Sequence, residues 1–192
     1  LLHPEVKELF VKKNVFWSSM RQFLVKERFL EVDMPVLENV PGGAEAAPFM
    51  THHNALDQDV YLRISLELPL KKMLVAGFER VFEIGRIFRN EGMDTEHLQD
   101  YTQMECYWAY ASFADLMEFI QRMYQHVIQT TFGTLTLPYQ GTLIDWSGTW
   151  PRKDYQALFL EHTGIDLRTA TVDDLRTYAD TRGIAYEPSA QK

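Results

Sequence analysis

The sequence predicts a single domain of the mixed α+β type, with a mainly antiparallel sheet flanked by helices. Three observations carry that reading. Apolar residues recur at helical spacing in two long stretches, one from Val6 to Phe29 and one following Ser112. Between them lie two β-rich runs, RVFEIGRIFRNEG and DYTQMECYWAYA, separated by the polar segment GMDTEHLQ, which suggests an antiparallel hairpin with a long connection. No internal repeat or low-complexity linker divides the 192 residues.

Taken in order, Val6, Leu9, Phe10, Trp17, Met20, Phe23 and Leu24 form the stripe of a long amphipathic helix. FLEVDMPVL reads as a strand, with Pro35 at its end or edge because proline has no ladder donor. NVPGGAEAAPF is predicted as a loop, its paired glycines open to backbone geometry that other residues avoid. A short strand is expected from Tyr61 to Ile64, then a helix with Pro69 in its first turn and Gly77 as its stop. After the hairpin, Ser112 and Asp115 form a capping-box pattern ahead of Leu116, Phe119, Ile120, Met123, Tyr124 and Val127. TLTLPYQGTLIDW reads as a smaller hairpin turning near Gly141. Two short helices close the chain, one ending at Gly164 and one running from about Thr171 to Gly183.

Composition bounds the function. With 46% apolar and 24% charged residues the chain has a globular composition and can bury a sizeable core. The single cysteine, Cys106, cannot form an internal disulfide, so a reducing, cytoplasmic setting is the expectation. No apolar run reaches the roughly 20 residues that span a bilayer, and the charged opening LLHPEVKELFVKKN lacks the pattern of a signal peptide. A net charge of −8 argues against binding nucleic acid through a field over the whole surface, so any RNA contact is expected to be local or supplied elsewhere. The chain opens on Leu1 rather than Met and closes on the polar EPSAQK, as a piece of a longer protein would.

The chemistry-bearing residues gather on the two β-rich runs. Alternate strand residues share a face, which groups Glu83, Gly85, Ile87, Arg89 and Glu91, and on the second run Tyr101, Gln103, Glu105 and Tyr107, against Met104, Cys106 and Trp108. Glu105 beside Tyr107 admits two readings: a solvated outer face, common on antiparallel sheets, or a floor that binds a cation, since carboxylate and phenol oxygens both accept from an ammonium group. Arg89 offers a planar fork suited to phosphate and Glu91 an acceptor for an amine or a metal, although the two would also make an ordinary surface pair. His97 lies in the polar connection, Tyr101 could be core filling, Gly42 and Gly43 could be a turn, and Glu67 at a helix start is favoured by the dipole whatever its role.

Taken together these residues resemble a known family. FRNEG, then His97, then YTQME at 101–105 resembles the second signature motif of class II aminoacyl-tRNA synthetases, and the helix ending in FLEVDMP resembles the first, dimer-forming motif. PGGAEAAPFMTHHNALDQDVYLRIS, followed by LEL and FERVFEIGRIFRNEG, is similar to the lysyl-tRNA synthetase subgroup, and the likeness runs from about Val6 to Asp166. The resemblance implies a homodimer that activates lysine with ATP and Mg2+ and loads it onto tRNA(Lys). It implies that Arg89 grips the α-phosphate, that Glu91 contacts the adenosine end, that His97 lies near the outer phosphates and that Tyr101, where the family commonly has phenylalanine, stacks on adenine. Gly43 and Glu67 would hold the α-amino group of lysine, and Glu105 and Tyr107 its ε-ammonium.

The family's third motif, with a second ATP-binding arginine, is not found in these residues, nor are the later strands that supply carboxylates for magnesium or the N-terminal barrel that reads the anticodon. The expectation is therefore an incomplete catalytic domain over 1–192, with no metal ligands of its own and weak or absent activity in isolation. Leu98, Gln99 and Asp100 depart from the asparagine-proline-glutamate common in the family loop. A paralogue that modifies a protein lysine, an aspartate or asparagine ligase, and a non-catalytic dimerising module are the alternative readings.

Overall fold

The computed structural model describes residues 3–92, 94, 97–187 and 189. Met93, Thr95 and Glu96 of the predicted connection, and residues 188 and 190–192 of the polar tail, lie outside the described residues. Where the sequence reads as one domain, the structure divides into two compact units, Leu1–Gly148 and Thr149–Lys192. No helix among the described residues is long and apolar enough to cross a membrane.

The first unit opens with α1 (Pro4–Lys26), which has Pro4 in its first turn, where a missing N–H costs nothing, and buries Ser19, Met20, Phe23 and Leu24. Its C-terminus is held by cations, as the helix dipole favours. Arg80 donates from Nη1 to the Glu27 carbonyl at 2.6 Å while its guanidinium lies 4.1 Å from the Trp108 ring centroid. Arg122 pairs with the Glu27 carboxylate at 2.6 Å.

The predicted strand FLEVDMPVL is in fact two two-residue strands in different sheets, β1 (Leu30–Glu31) and β2 (Leu37–Glu38). The chain crosses between sheets around Pro35, which cannot donate to either ladder. Then come β3 (Met50–His53), β4 (Gln58–Leu62) and α2 (Glu67–Val75). The β3 strand was not anticipated: its first three residues are exposed, so no alternation of apolar and polar positions marks it. The strand expected at Tyr61–Ile64 ends instead at Leu62, and the backbone of Arg63 donates to the Val36 carbonyl at 2.9 Å and accepts from the Phe88 N–H at 3.0 Å.

The predicted hairpin forms from β5 (Arg80–Phe88) and β6 (Asp100–Trp108), in antiparallel register from Arg80↔Trp108 to Phe88↔Asp100. The first sheet has the order β1-β5-β6, with β1 parallel to β5, and the second has the order β2-β4-β3, antiparallel throughout. The capping box of Ser112 and Asp115 starts α3 (Phe113–Phe132), and Gly133 ends it at φ 73°. A hairpin of β7 (Thr136–Tyr139) and β8 (Thr142–Asp145) turns through Gln140 and Gly141, both at positive φ.

The β5–β6 ribbon is covered on both faces. On one, Phe82 joins Met20, Phe23, Phe119 and Met123 from the flanking helices and Phe29 from the turn before β1, with Ile84, Met104, Cys106 and Trp108 packed alongside. On the other, Val81 and Ile87 meet Leu66 and Leu70 of the α2 region, with Tyr101 and Tyr107 beside them. The second unit contains α4 (Tyr155–Thr163), N-capped by Asp154, and α5 (Val172–Arg182), with a capping box of Thr171 and Asp174. Both stop at glycines with positive φ, Gly164 and Gly183, as the sequence predicts, and neither helix has a buried residue.

The crossing from β1 to β2 is locked by a buried ion pair. Arg63 lies 2.6 Å from Glu83, with the two side chains 2% and 3% exposed. Arg63 also donates to the carbonyls of Met34 at 3.0 Å and Arg86 at 2.8 Å, and the Met34 N–H donates to Glu83 at 3.3 Å. Gly85 lies directly over the pair, and a Cβ there would stand 2.6 Å from a Glu83 oxygen and closer still to the guanidinium. Arg63→Met is therefore expected to cost about 3–5 kcal/mol, because it leaves Glu83 buried without its cation, and Gly85→Ala is also expected to destabilise. Urea unfolding of both variants checks this; an Arg63→Met midpoint equal to that of the parent would remove the pair from its structural role.

Candidate active site

The site is built where the β5–β6 hairpin passes the start of α2. Beyond the end of β5, Arg89 donates its backbone N–H to the Gln99 carbonyl at 2.8 Å, which keeps the two arms together past the regular ladder. Its side chain donates from Nε to the Ile64 carbonyl at 3.2 Å and lies 5.9 Å from the Tyr101 ring centroid. Arg89, Glu91, His97, Gln99 and Tyr101 line a cavity of about 360 Å³. All four residues singled out for a nucleotide in the sequence thus share one cavity.

The loop 39–49 closes on this hairpin. Glu91 accepts from the Ala47 N–H at 3.3 Å, and Asn90 donates its backbone N–H to the Ala47 carbonyl at 2.7 Å. Gln99 donates from its side chain to the carbonyls of Glu91 and Gly92 at 3.4 and 3.3 Å, and so clasps the opposite arm. His97 is held by Asp94, to which its backbone N–H donates at 2.7 Å and whose other oxygen lies 2.7 Å from Nδ1. Asp100 pairs with Arg86 across the ribbon at 2.5 Å.

The second group sits further along the same face of the ribbon. Glu105 receives four donors: Ser65 Oγ, the Leu66 N–H and Gln103 Nε2 on Oε1, at 3.2, 3.2 and 2.7 Å, and the Tyr107 hydroxyl on Oε2 at 3.2 Å. Leu66 is the N-cap of α2, so the carboxylate lies at the positive end of that helix. Burial pushes the Tyr107 phenol well above its usual range, and the charges of Glu105 and Glu67 add to the effect, which keeps its hydroxyl protonated.

Glu67 is the first residue of α2 and pairs with Lys71 one turn on, at 2.7 Å. Gly43 has φ 84°, and a Cβ there would stand 2.9 Å from Glu67 Cβ and 3.0 Å from Ser65 Oγ, so this glycine fits both by its conformation and by its lack of a side chain. Ser65 connects the set, since its hydroxyl donates to Glu105 and accepts the Glu67 N–H at 3.0 Å. Gly43, Glu67, Glu105 and Tyr107 therefore converge, and the segment Ile64–Leu66 joins them to Arg89.

Sequence reasoning missed Ser65 and gave Gln103 no role. Gln103 was already placed on the polar face beside Glu105, which was the available signal, whereas Ser65 is identified only by what packs against it. Among the described residues no group of three or more His, Cys, Asp or Glu side chains comes together to hold a metal ion.

Residues 1–180 match the family described as tRNA synthetases class II (D, K and N). The chain belongs to the class II tRNA synthetases. Among its relatives within that class, a lysine–tRNA ligase of Thermoanaerobacter sp. (strain X514) is 44% identical over 173 residues, covering 90% of this chain and 35% of the relative. One from Moorella thermoacetica is 41% identical over 193 residues, covering 100% of this chain and 40% of the relative. One from Clostridium botulinum (strain Hall) is 42% identical over 188 residues, covering 97% and 37%. The chain thus spans 35–40% of the length of these relatives.

In this class II synthetase chain the cysteine next to Glu105 is shut away from the site. Cys106 points to the opposite face of β6, into the helix-covered core, where burial and then the Glu105 charge push its thiol up to about 11. Alkylation by iodoacetamide at pH 8 is therefore expected to run on the order of a hundredfold slower than for a free cysteine, in line with the smaller thiolate fraction. Intact-mass spectrometry reads this directly, and labelling at the rate of free cysteine would contradict the assigned face.

Proposed function

We propose that the protein carrying this chain is a lysine–tRNA ligase, which joins lysine to ATP as lysyl-adenylate with release of pyrophosphate and then transfers lysine to the 3′ end of tRNA(Lys). The observation that carries the reading is the pairing of two sites on one sheet face: a cavity with Arg89 and Tyr101 at one end, and an acid–phenol floor of Glu105 and Tyr107 at the other. The names of the relatives point the same way.

The residues act by position and charge. Arg89 takes the α-phosphate and offsets the charge that builds at phosphorus as the lysine carboxylate attacks. Tyr101 stacks on adenine, Glu91 contacts the adenosine end, and His97, oriented by Asp94, reaches the outer phosphates. Gly43 and Glu67 receive the α-amino group, and Glu105 and Tyr107 receive the ε-ammonium. The acid floor matches an ammonium and repels a carboxylate, so it favours lysine over aspartate within a family that serves both. No side-chain nucleophile is needed, because two reactants held in line react without one. Magnesium would supply charge neutralisation on the phosphates, and among the described residues no group of three or more His, Cys, Asp or Glu side chains is assembled to hold it.

A homodimer through α1 and β1 fits the exposed Leu9, Phe10, Val11 and Leu30 there. A cytoplasmic setting fits the free thiol and the tRNA substrate.

Amino-acid-dependent ATP–pyrophosphate exchange by the full-length protein tests the assignment. Exchange is expected with lysine and not with aspartate or asparagine, and Glu105→Gln is expected to lower kcat/KM for lysine on the order of a hundredfold. Exchange with aspartate and none with lysine would overturn the floor's assignment. For the 192-residue chain alone, which spans 35–40% of its relatives, isothermal titration is expected to show ATP binding weaker than micromolar; micromolar binding would mean that these residues hold the whole grip.

A further inference from the structure

Glu105 is held asymmetrically. Its Oε1 accepts from Ser65 Oγ, the Leu66 N–H and Gln103 Nε2, whereas among the described residues Oε2 meets only the Tyr107 hydroxyl. A carboxylate oxygen with three donors has little left to offer a ligand, so a cation reaching this floor is met by Oε2 and the phenol oxygen.

Of the three donors on Oε1, Gln103 is the nearest, at 2.7 Å against 3.2 Å for each of the others. It lies opposite Gly85 across the ribbon, next to the space that the Arg63 guanidinium and the Glu83 carboxylate fill. Its own Oε1 is enclosed and meets no donor among the described residues. A buried amide with an unmet oxygen lowers stability relative to an apolar side chain of the same length. Turning the amide over would set oxygen against the Glu105 carboxylate. Gln103 therefore serves its neighbour rather than the core.

We propose that Gln103 is a positioning residue for amine recognition: its amide N–H pins Oε1 of Glu105 so that Oε2, beside the Tyr107 hydroxyl, is the oxygen presented to the ε-ammonium. This rests on the lysine reading of the site. The pin fixes how far the acceptor stands from the Gly43–Glu67 end, and so makes the floor sensitive to side-chain length. Without it the carboxylate can swing, and a shorter amine such as ornithine is discriminated against less well.

The test is ATP–pyrophosphate exchange by the full-length protein carrying Gln103→Met or Gln103→Glu. For Gln103→Met, the lysine KM is expected to rise about tenfold, as for loss of one hydrogen bond to a charged group, with kcat and the ATP KM within about twofold of the parent. The preference for lysine over ornithine is expected to narrow alongside. Gln103→Glu sets a second carboxylate against Glu105, so the pair shares a proton and the lysine KM acquires a pH dependence that the parent lacks.

A Gln103→Met enzyme with unchanged lysine KM, or one whose ATP KM and kcat worsen in the same proportion, overturns the proposal. Should that variant fold poorly, the Gln103→Glu profile decides, and a profile parallel to that of the parent overturns it equally. If the unsubstituted protein shows no lysine-dependent exchange, the lysine reading itself fails. If it exchanges with lysine and both variants match it, this inference alone fails.

Discussion

A guanidinium buried beneath a glycine sets the positions of everything around the site. Arg63 follows the β4 strand, reaches under Gly85 to Glu83, and gathers the carbonyls of Met34 and Arg86. Taking two charges out of water is costly, and the pairing with Glu83 together with the carbonyls of Met34 and Arg86 offsets that cost. The three residues that follow Arg63 then have little freedom. Ile64 offers its carbonyl to Arg89, Ser65 its hydroxyl to Glu105, and Leu66 its N–H to the same carboxylate. A structural pair in the interior thus fixes the spacing between Arg89 and the Glu105 carboxylate.

The same pair bears on electrostatics. Glu83 and Glu105 are direct cross-strand partners, an arrangement that would be repulsive if both charges were uncompensated. Arg63 answers Glu83, Lys71 answers Glu67, and Glu105 is left with neutral donors and the N-terminus of α2. Among the described residues Glu105 is thus the acid of this group that meets neutral donors in place of a cationic side chain. In a chain of net charge −8, the cation at the opposite end is local: Arg89 lies against the Tyr101 ring.

The loop between the hairpin arms shows how departures from a family pattern are absorbed. Gln99 clasps the carbonyls of Glu91 and Gly92, and Asp100 pairs with Arg86. Residues that leave the common pattern here hold the two arms together.

Much of this could be read in one dimension. The β5–β6 hairpin, its two faces, the helix caps at Ser112 and Thr171 and the glycine stops at 133, 164 and 183 depend on periodicity and on residues within a few positions of one another, and local sequence is sufficient to dictate them. Strand alternation grouped Arg89 with Glu91 on one run and Glu105 with Tyr107 on the other, and the family resemblance singled them out; that the two groups share a face of the ribbon follows from the register, Glu83↔Glu105 and Ile87↔Tyr101. Tertiary structure alone decided the break of 29–37 into two sheets, the exposed β3 strand, the division at residue 148 and the parts played by Ser65 and Gln103. Those depend on contacts between segments tens of residues apart, such as Arg63 with Met34 and Ser65 with Glu105, and no local pattern encodes which distant partner a buried polar group will find.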